Sequence, residues 1–334
     1  MQAKYFFIAF LIATVLACQQ PAPVLIHNTG EAFGTTYSIQ YDGSEDVHQQ
    51  IREVFQKVNQ SMSTYMPQSD ISKINAGDTS VVVDSLFVEV YNTSQYVWEV
   101  TQGVFDPTVG PLVNAYGFGP GKKINNITDQ QIDSLMEFVG WEKVSLTTKR
   151  TIEKADPRVF FDFNAIAKGY AIDLIGRVLE RNQIDNYLIE LGGELLAKGQ
   201  NSVKKQEWKV GIDDPQVTEG REIYKVVALK NRAMASSGNY RKFYVDSLTG
   251  TKYVHSINPK TGRTQKTNVL SASVFADTCI LADAFATSFM VMDIEQTKLL
   301  LKQHSSLDAF IIYLAEDNTI ETFTTDGLKQ SMIN

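Results

Sequence analysis

Apolar and polar positions alternate from Phe33 to Tyr41, and the run stops at Asp42-Gly43, a turn signal, so this stretch reads as a strand. The period then changes. Ile51, Val54, Phe55 and Val58 recur at helical spacing between Val47 and Met62, and Ser63-Thr64-Tyr65-Met66-Pro67 breaks the pattern. Asp70 to Asn75 reads as a short helical turn. Asp84 to Gln102 reads as a second amphipathic helix with Asp84 as its cap and Gly103 just past its end. Phe105 to Gly119, rich in Gly, Pro and aromatic residues, reads as a long ordered loop of the kind that carries function. Thr128 to Val139 is a third helix, Glu142 to Phe163 holds two or three strands, and Ala165 to Arg181 is a helix.

Further on, strands are expected at Asn186 to Leu191, Trp208 to Ile212, Tyr224 to Leu229, Tyr240 to Asp246 and Leu270 to Ala276. Two helices follow, Ile280 to Met292 and Glu295 to His304, and then strands at Ala309 to Leu314 and Ile320 to Thr324. Helices interspersed with hairpin-like strand pairs favour an α+β fold with mixed or antiparallel sheets and flanking helices over a doubly wound one. No strand is followed by G-x-G-x-x-G, which removes the usual ground for a Rossmann site.

The first residues follow a different logic. Met1 to Ala17 has Lys4 ahead of an apolar run from Tyr5 to Leu16, too short for the roughly 20 residues that span a bilayer, and reads as a targeting segment. Val15-Leu16-Ala17-Cys18 resembles a bacterial lipobox, although Leu16 is a less usual occupant of its position, with Cys18 as the lipid-modified first residue of the mature chain; the alternative is an ordinary secretory signal. Residues 18–28 then form a tether and 29–334 one domain, held by a lipid anchor on the extracytoplasmic face of a membrane. The other cysteine, Cys279, lies in an apolar setting and reads as a buried structural thiol, so the fold stands without disulfides.

Composition changes the picture only in part. The 334 residues are 43% hydrophobic and 21% charged, which is ordinary for a globular chain able to bury a large core. A formal net charge of -7 gives no support for a nucleic-acid partner. It also means that a phosphorylated ligand needs local donors or a metal.

Candidate chemistry gathers at Val159 to Asp173. An apolar run suited to a buried strand meets Asp162, passes Asn164 and Ala165, and enters a helix carrying Lys168 and Gly169. Either Asp162 caps that helix and Lys168 is solvated, or the helix N-terminus and Lys168 together receive a phosphate or another anion. Asp283 and Thr287 stand four apart in a segment of strong helix formers, so both point from one face. They are hard oxygen ligands suited to Mg²⁺, or else a surface acid with a threonine bonded back to its helix. Ser236-Ser237-Gly238-Asn239-Tyr240-Arg241 reads as a small-residue turn that brings a guanidinium beside a close backbone approach. His255, next to a turn-rich loop, is the histidine in the most functional context; Gly192-Gly193-Glu194 either leaves room for a planar ligand or makes a bend. Tyr65 and Met66 are suited to stack on an aromatic ring or to fill the core.

These pieces, in this order, resemble the FAD:protein FMN transferase family, the ApbE flavin transferases. The resemblance runs through Gly34-Thr35-Thr36-Tyr37, residues 63–69, 103–108, 116–119 and 165–170, Gly192-Gly193-Glu194, residues 236–241, 255–262 and 283–287. It implies a single T-fold-like α+β domain that uses Mg²⁺ to move FMN from FAD onto a Ser or Thr of a partner protein, releasing AMP. By the same resemblance, the metal is held by the backbone oxygen of Ala165 and the side chains of Asp283 and Thr287. The flavin is held by Tyr65 or Met66, the loop of Val104, Phe105 and Asp106, by Asp162, Lys168 and Ile257, and Glu194 and Arg241 lie with that set. His255 matches a histidine important for transfer, with Asp162 and Asp106 as weaker candidates for the base. The acceptor implied is a subunit of a membrane redox complex. The chain departs from the common pattern at Glu194, Asn239 and Asn258, where the family often has Asp. The same residues would also serve an Mg²⁺-dependent FAD pyrophosphatase, and a non-catalytic FAD carrier is a further alternative.

Overall fold

The computed structural model describes residues 24–333 except 218–219, 221, 239–242, 246–251, 255 and 265–266. The chain opens with two paired strands, β1 (Val24–Ala32) and β2 (Thr35–Gly43), and continues through helices α1 (His48–Met62), α2 (Asp70–Asn75), α3 (Ser85–Val100), α4 (Gly110–Tyr116) and α5 (Asp129–Met136). A small hairpin, β3 (Val144–Leu146) with β4 (Ile152–Lys154), precedes α6 (Ala167–Arg181), β5 (Tyr187–Leu191) and β6 (Glu194–Lys198). Next come β7 (Trp208–Asp213), β8 (Ile223–Leu229), β9 (Arg232–Gly238), and the paired β10 (Phe243–Val245) and β11 (Lys252–Val254). The chain ends with β12 (Val269–Ala276), α7 (Cys279–Phe289), α8 (Ile294–Gln303), β13 (Asp308–Leu314), β14 (Ile320–Thr324), α9 (Asp326–Lys329) and β15 (Met332–Ile333).

Eight strands form one sheet in the order β1-β2-β5-β6-β9-β12-β13-β14, and every neighbouring pair in it is antiparallel. The fold is thus α+β with antiparallel sheets and flanking helices. Helices α1, α3, α6 and α7 cover one face, joined to it by a core that includes Ile39, Ile51, Phe87, Tyr170, Ile189 and Phe285. A three-stranded sheet, β15-β8-β7, covers part of the other face through Trp208, Val227, Phe275 and Phe310. A third, smaller core joins α4 and α5 to Ile257.

Several sequence expectations shift. β1 starts at Val24, so residues 24–28, assigned to a tether, pair with Ile39 to Gly43 as a strand. Residues 105–119 hold α4: Pro111 near its start and Gly117 in the left-handed conformation after its end are ordinary helix boundaries, although Gly and Pro together suggested a loop. Val159 to Phe163 is not a regular strand; it is a buried extended segment with one parallel bridge, Phe160 to Val109. Its four apolar residues satisfy a packed position without a ladder. Ser236-Ser237-Gly238 is not a turn but the end of β9, paired to Ser273, Ala272 and Ser271 of β12. Small side chains there let the alanine-rich α7 lie close on the sheet. Among the described residues no helix is long and apolar enough to cross a membrane.

Candidate active site

The corner between Asp162 and Gly169 places the chemistry. Asp162 is buried, and its Oδ1 accepts the Asn164 N–H at 2.8 Å, so it closes a tight turn ahead of α6 rather than capping the helix itself. Burial pushes its carboxyl above the usual range. Its own N–H donates to the Pro107 carbonyl at 2.7 Å, which ties the corner to the loop after Asp106. Burial, and then the Asp162 charge, raise the pKa of the Tyr65 phenol. Tyr65 is 59% exposed and donates to the Phe118 carbonyl at 3.2 Å, and Met66 beside it is exposed too.

One turn later the charges change sign. Lys168 Nζ lies 2.6 Å from Glu194 Oε1, and the Glu194 side chain is almost fully buried. The Gly192-Gly193 turn positions it: both glycines have positive φ, at 63° and 101°, and make the two-residue link between β5 and β6, so Glu194 begins a central strand. Glu194 Oε2 is buried and has no hydrogen-bond partner among the described residues.

Asp283 completes the group. It lies on α7, fully buried, and its Oδ2 accepts the Gly169 N–H at 2.9 Å. The first turn of α6 has unpaired N–H groups, and the anion that meets one of them is this carboxylate. Burial pushes Asp283 up to about 6, while Lys168 pulls it down and Glu194 pushes it up. A Cβ on Gly169 would lie 2.3 Å from the Cys279 carbonyl oxygen and 2.8 Å from Asp283 Cβ, so only glycine lets α6 and α7 meet here. Thr287, one turn along α7, is half-buried on the Asp283 face.

The remaining expected residues are placed differently. Asp106 is buried with both oxygens engaged: Oδ1 accepts from the Thr108 N–H at 2.8 Å and its hydroxyl at 2.6 Å, and Oδ2 from the Trp141 N–H at 2.9 Å. Phe105 is buried in the main core, with Val104 packed against it. Ile257 is buried against α4 and α5 and bridges Thr264. What this loop pair offers a ligand is therefore main chain more than side chain. Ala165 precedes α6, half-buried. His255, Arg241, Asn239 and Cys18 lie outside the described residues.

Sequence reasoning missed Asp173. This buried acid on α6 accepts the N–H groups of Cys279 at 2.7 Å and Ile280 at 2.9 Å, the first turn of α7. Its signal was an acid sharing a helix face with Gly169 and Gly176, the small residues that mark a close helix contact. The Lys168 to Glu194 pair was also missed, because its members are distant in sequence.

The family model described as ApbE family matches residues 33–311. The chain belongs to the ApbE family. It is 34% identical to the FAD:protein FMN transferase of Haemophilus influenzae over 97% of this chain and 96% of that protein. To the protein of the same name from Vibrio cholerae it is 31% identical, covering 90% of each. The solved structure "Flavin Transferase ApbE from Vibrio cholerae" superposes with a TM-score of 0.83 at 29% identity, over 92% of this chain and 99% of that one.

Proposed function

We propose that this chain transfers FMN from FAD to a Ser or Thr hydroxyl of a partner protein, releasing AMP, with Mg²⁺ at the α6–α7 junction. The observation that carries the reading is the buried group of two carboxylates, Glu194 and Asp283, beside the ammonium of Lys168, with Glu194 Oε2 lacking a hydrogen-bond partner among the described residues. A buried excess of negative charge calls for a cation. The donors are hard oxygens, which suit Mg²⁺. Among the described residues no three His, Cys, Asp or Glu side chains cluster to hold a metal, so the ligands would be one carboxylate, Asp283, with the Thr287 hydroxyl and the Ala165 carbonyl. When bound, Mg²⁺ supplies charge neutralisation for the pyrophosphate of FAD.

The chain's own residues supply position and proton transfer. Tyr65 and Met66, both exposed, offer the isoalloxazine a face to stack on. Lys168, held by Glu194, sits at the start of α6 beside the phosphates. The acceptor hydroxyl attacks the FMN-side phosphorus; the bond from that phosphorus to the bridging oxygen breaks, and AMP leaves with the oxygen and its charge. The hydroxyl proton passes to a base, for which His255 is the candidate; such a base contributes typically about 10²–10⁴-fold. The acceptor is a subunit of a membrane redox complex, and the enzyme meets it from a lipid anchor at Cys18 on the extracytoplasmic side. The acceptor reading rests on the family resemblance, and the anchor on the lipobox-like Val15-Leu16-Ala17-Cys18.

The test is to incubate the chain with FAD, Mg²⁺ and an acceptor domain bearing an exposed Thr, and to read the acceptor by intact mass and flavin fluorescence. Covalent FMN, lost with EDTA and in Asp283→Ala, is the expected result. Free FMN and AMP with an unmodified acceptor would point to hydrolysis, and intact FAD throughout would rule out both reactions.

A further inference from the structure

Helices α6 and α7 hold each other's first turns. Asp283 of α7 accepts the Gly169 N–H of α6, and Asp173 of α6 accepts the Cys279 and Ile280 N–H groups of α7. The residue that should cap α7 locally is Thr278, whose backbone is extended as a cap requires, yet its side chain makes no capping bond. Its Oγ1 is buried without a partner among the described residues. A side chain from another helix has taken over the capping, and it acts across the contact that Gly169 keeps close.

We infer that Asp173 is a positioning residue for the metal site: by gripping the first turn of α7 it sets where Asp283 and Thr287 stand relative to the start of α6. This rests on the reading of Asp283 and Thr287 as metal ligands. The geometry gives the reason. Asp283 follows Ile280 by three residues, under one helical turn, so a shift or rotation of that first turn moves its carboxylate directly. Cation sites tolerate little displacement, and residues that orient a ligand typically change metal affinity about 10–100-fold when altered. The groups that bear on Asp173 are consistent with a grip held at some cost. Burial pushes its carboxyl up to about 7, while the two N–H groups and Arg177 pull it down and Glu89 pushes it up. A buried acid is retained here although an apolar residue would fill the space more cheaply.

The experiment uses the full chain in detergent, with Mn²⁺ as a spectroscopic stand-in for Mg²⁺. Mn²⁺ is titrated into FAD-loaded wild type, Asp173→Asn, Thr278→Ala and Asp283→Ala, with free ion read by electron paramagnetic resonance. FAD affinity is read separately in EDTA by flavin fluorescence. Asp173→Asn keeps the shape and one acceptor, and Thr278 stands ready to cap the freed turn, so the variant is expected to fold. The expected result is an Mn²⁺ Kd raised about tenfold in Asp173→Asn, with FAD affinity within about twofold of wild type and Thr278→Ala unchanged. A loss of packing alone would weaken both ligands. A wild-type Mn²⁺ Kd in Asp173→Asn, beside a weakened one in Asp283→Ala, overturns the positioning role. A wild-type Kd in Asp283→Ala overturns the metal-pair reading instead. Should Asp173→Asn not fold, Asp173→Glu, which displaces the charge by one methylene, decides by the same two titrations.

Discussion

Lys168 illustrates how a partner changes the meaning of a residue. As a solvated ammonium it would simply attract phosphate; at 2.6 Å from buried Glu194, it is instead one half of an interior ion pair. Removing one member of such a pair leaves the other buried and unpaired, which costs about 3 kcal/mol. Lys168→Gln is therefore expected to lower unfolding stability by about that much, and Lys168→Gln with Glu194→Gln to recover a good part of it. Urea titrations of the two single variants and the double variant complete the cycle; strict additivity would show that the pair does not couple. Gly169 makes a sharper case. The Cβ of Gly169→Ala would meet backbone at 2.3 Å, so the two helices must separate, at a cost of typically 1–3 kcal/mol, and the Gly169 N–H to Asp283 bond goes with them. Transfer activity should fall further than the stability loss explains, measured well below the melting temperature. At this scale the sequence revealed spacing along one helix, which is why Asp283 and Thr287 stood out. It concealed Asp173 and the pairing of Glu194 with Lys168, because those partners are brought close only by the fold.

Elements were legible where a strong period met clear boundaries. Helix α1 and helix α3, with Asp84 accepting the Phe87 N–H at 2.8 Å, fall where the pattern puts them. Where composition and period conflicted, context decided. Helix α4 forms inside a Gly- and Pro-rich stretch because Leu112 and Tyr116 close a small core with Ile132 and Ile257. β9 runs on through Ser236, Ser237 and Gly238 because β12 supplies the ladder and α7 needs the room. The small core has a consequence for the loop after His255. The Tyr116 hydroxyl donates to the Gly262 carbonyl at 3.0 Å, and Arg263 pairs with Asp129 at 2.8 Å, so α4 and α5 pin residues 256–264 from outside the sheet. Tyr116→Phe removes one such bond at a cost of about 1 kcal/mol. Its global unfolding should change little, while amide exchange across 256–264 accelerates and the transfer rate drops. Unchanged exchange there would mean the loop is held by other contacts.

At the scale of the whole molecule, a chain of net charge -7 binding an anionic dinucleotide works against its own field, and a bound cation is the natural remedy. Asp283 has a folded pKa of about 6, raised by burial from 3.8, so between those values the folded state holds a proton that the unfolded state has released. Linkage then fixes the sign: the folded state binds more protons, and the contribution of Asp283 to stability falls as pH rises through that window. Above it, the folded protein bears the cost of holding Asp283 charged in the interior. Asp283→Asn lacks the titration and can still accept the Gly169 N–H. In EDTA the variant should therefore gain on wild type steadily from pH 4 to pH 6.5 and hold its advantage at pH 7.5. Saturating Mg²⁺ should reverse that order at pH 7.5, because an ion that binds only the folded wild type stabilises it by mass action. Thermal unfolding of both proteins at the two ends of the pH range, with and without the ion, measures all of this at once. A wild type that outlasts Asp283→Asn in EDTA at pH 7.5 would mean that the buried acids are already compensated and that the fold has no need of a cation.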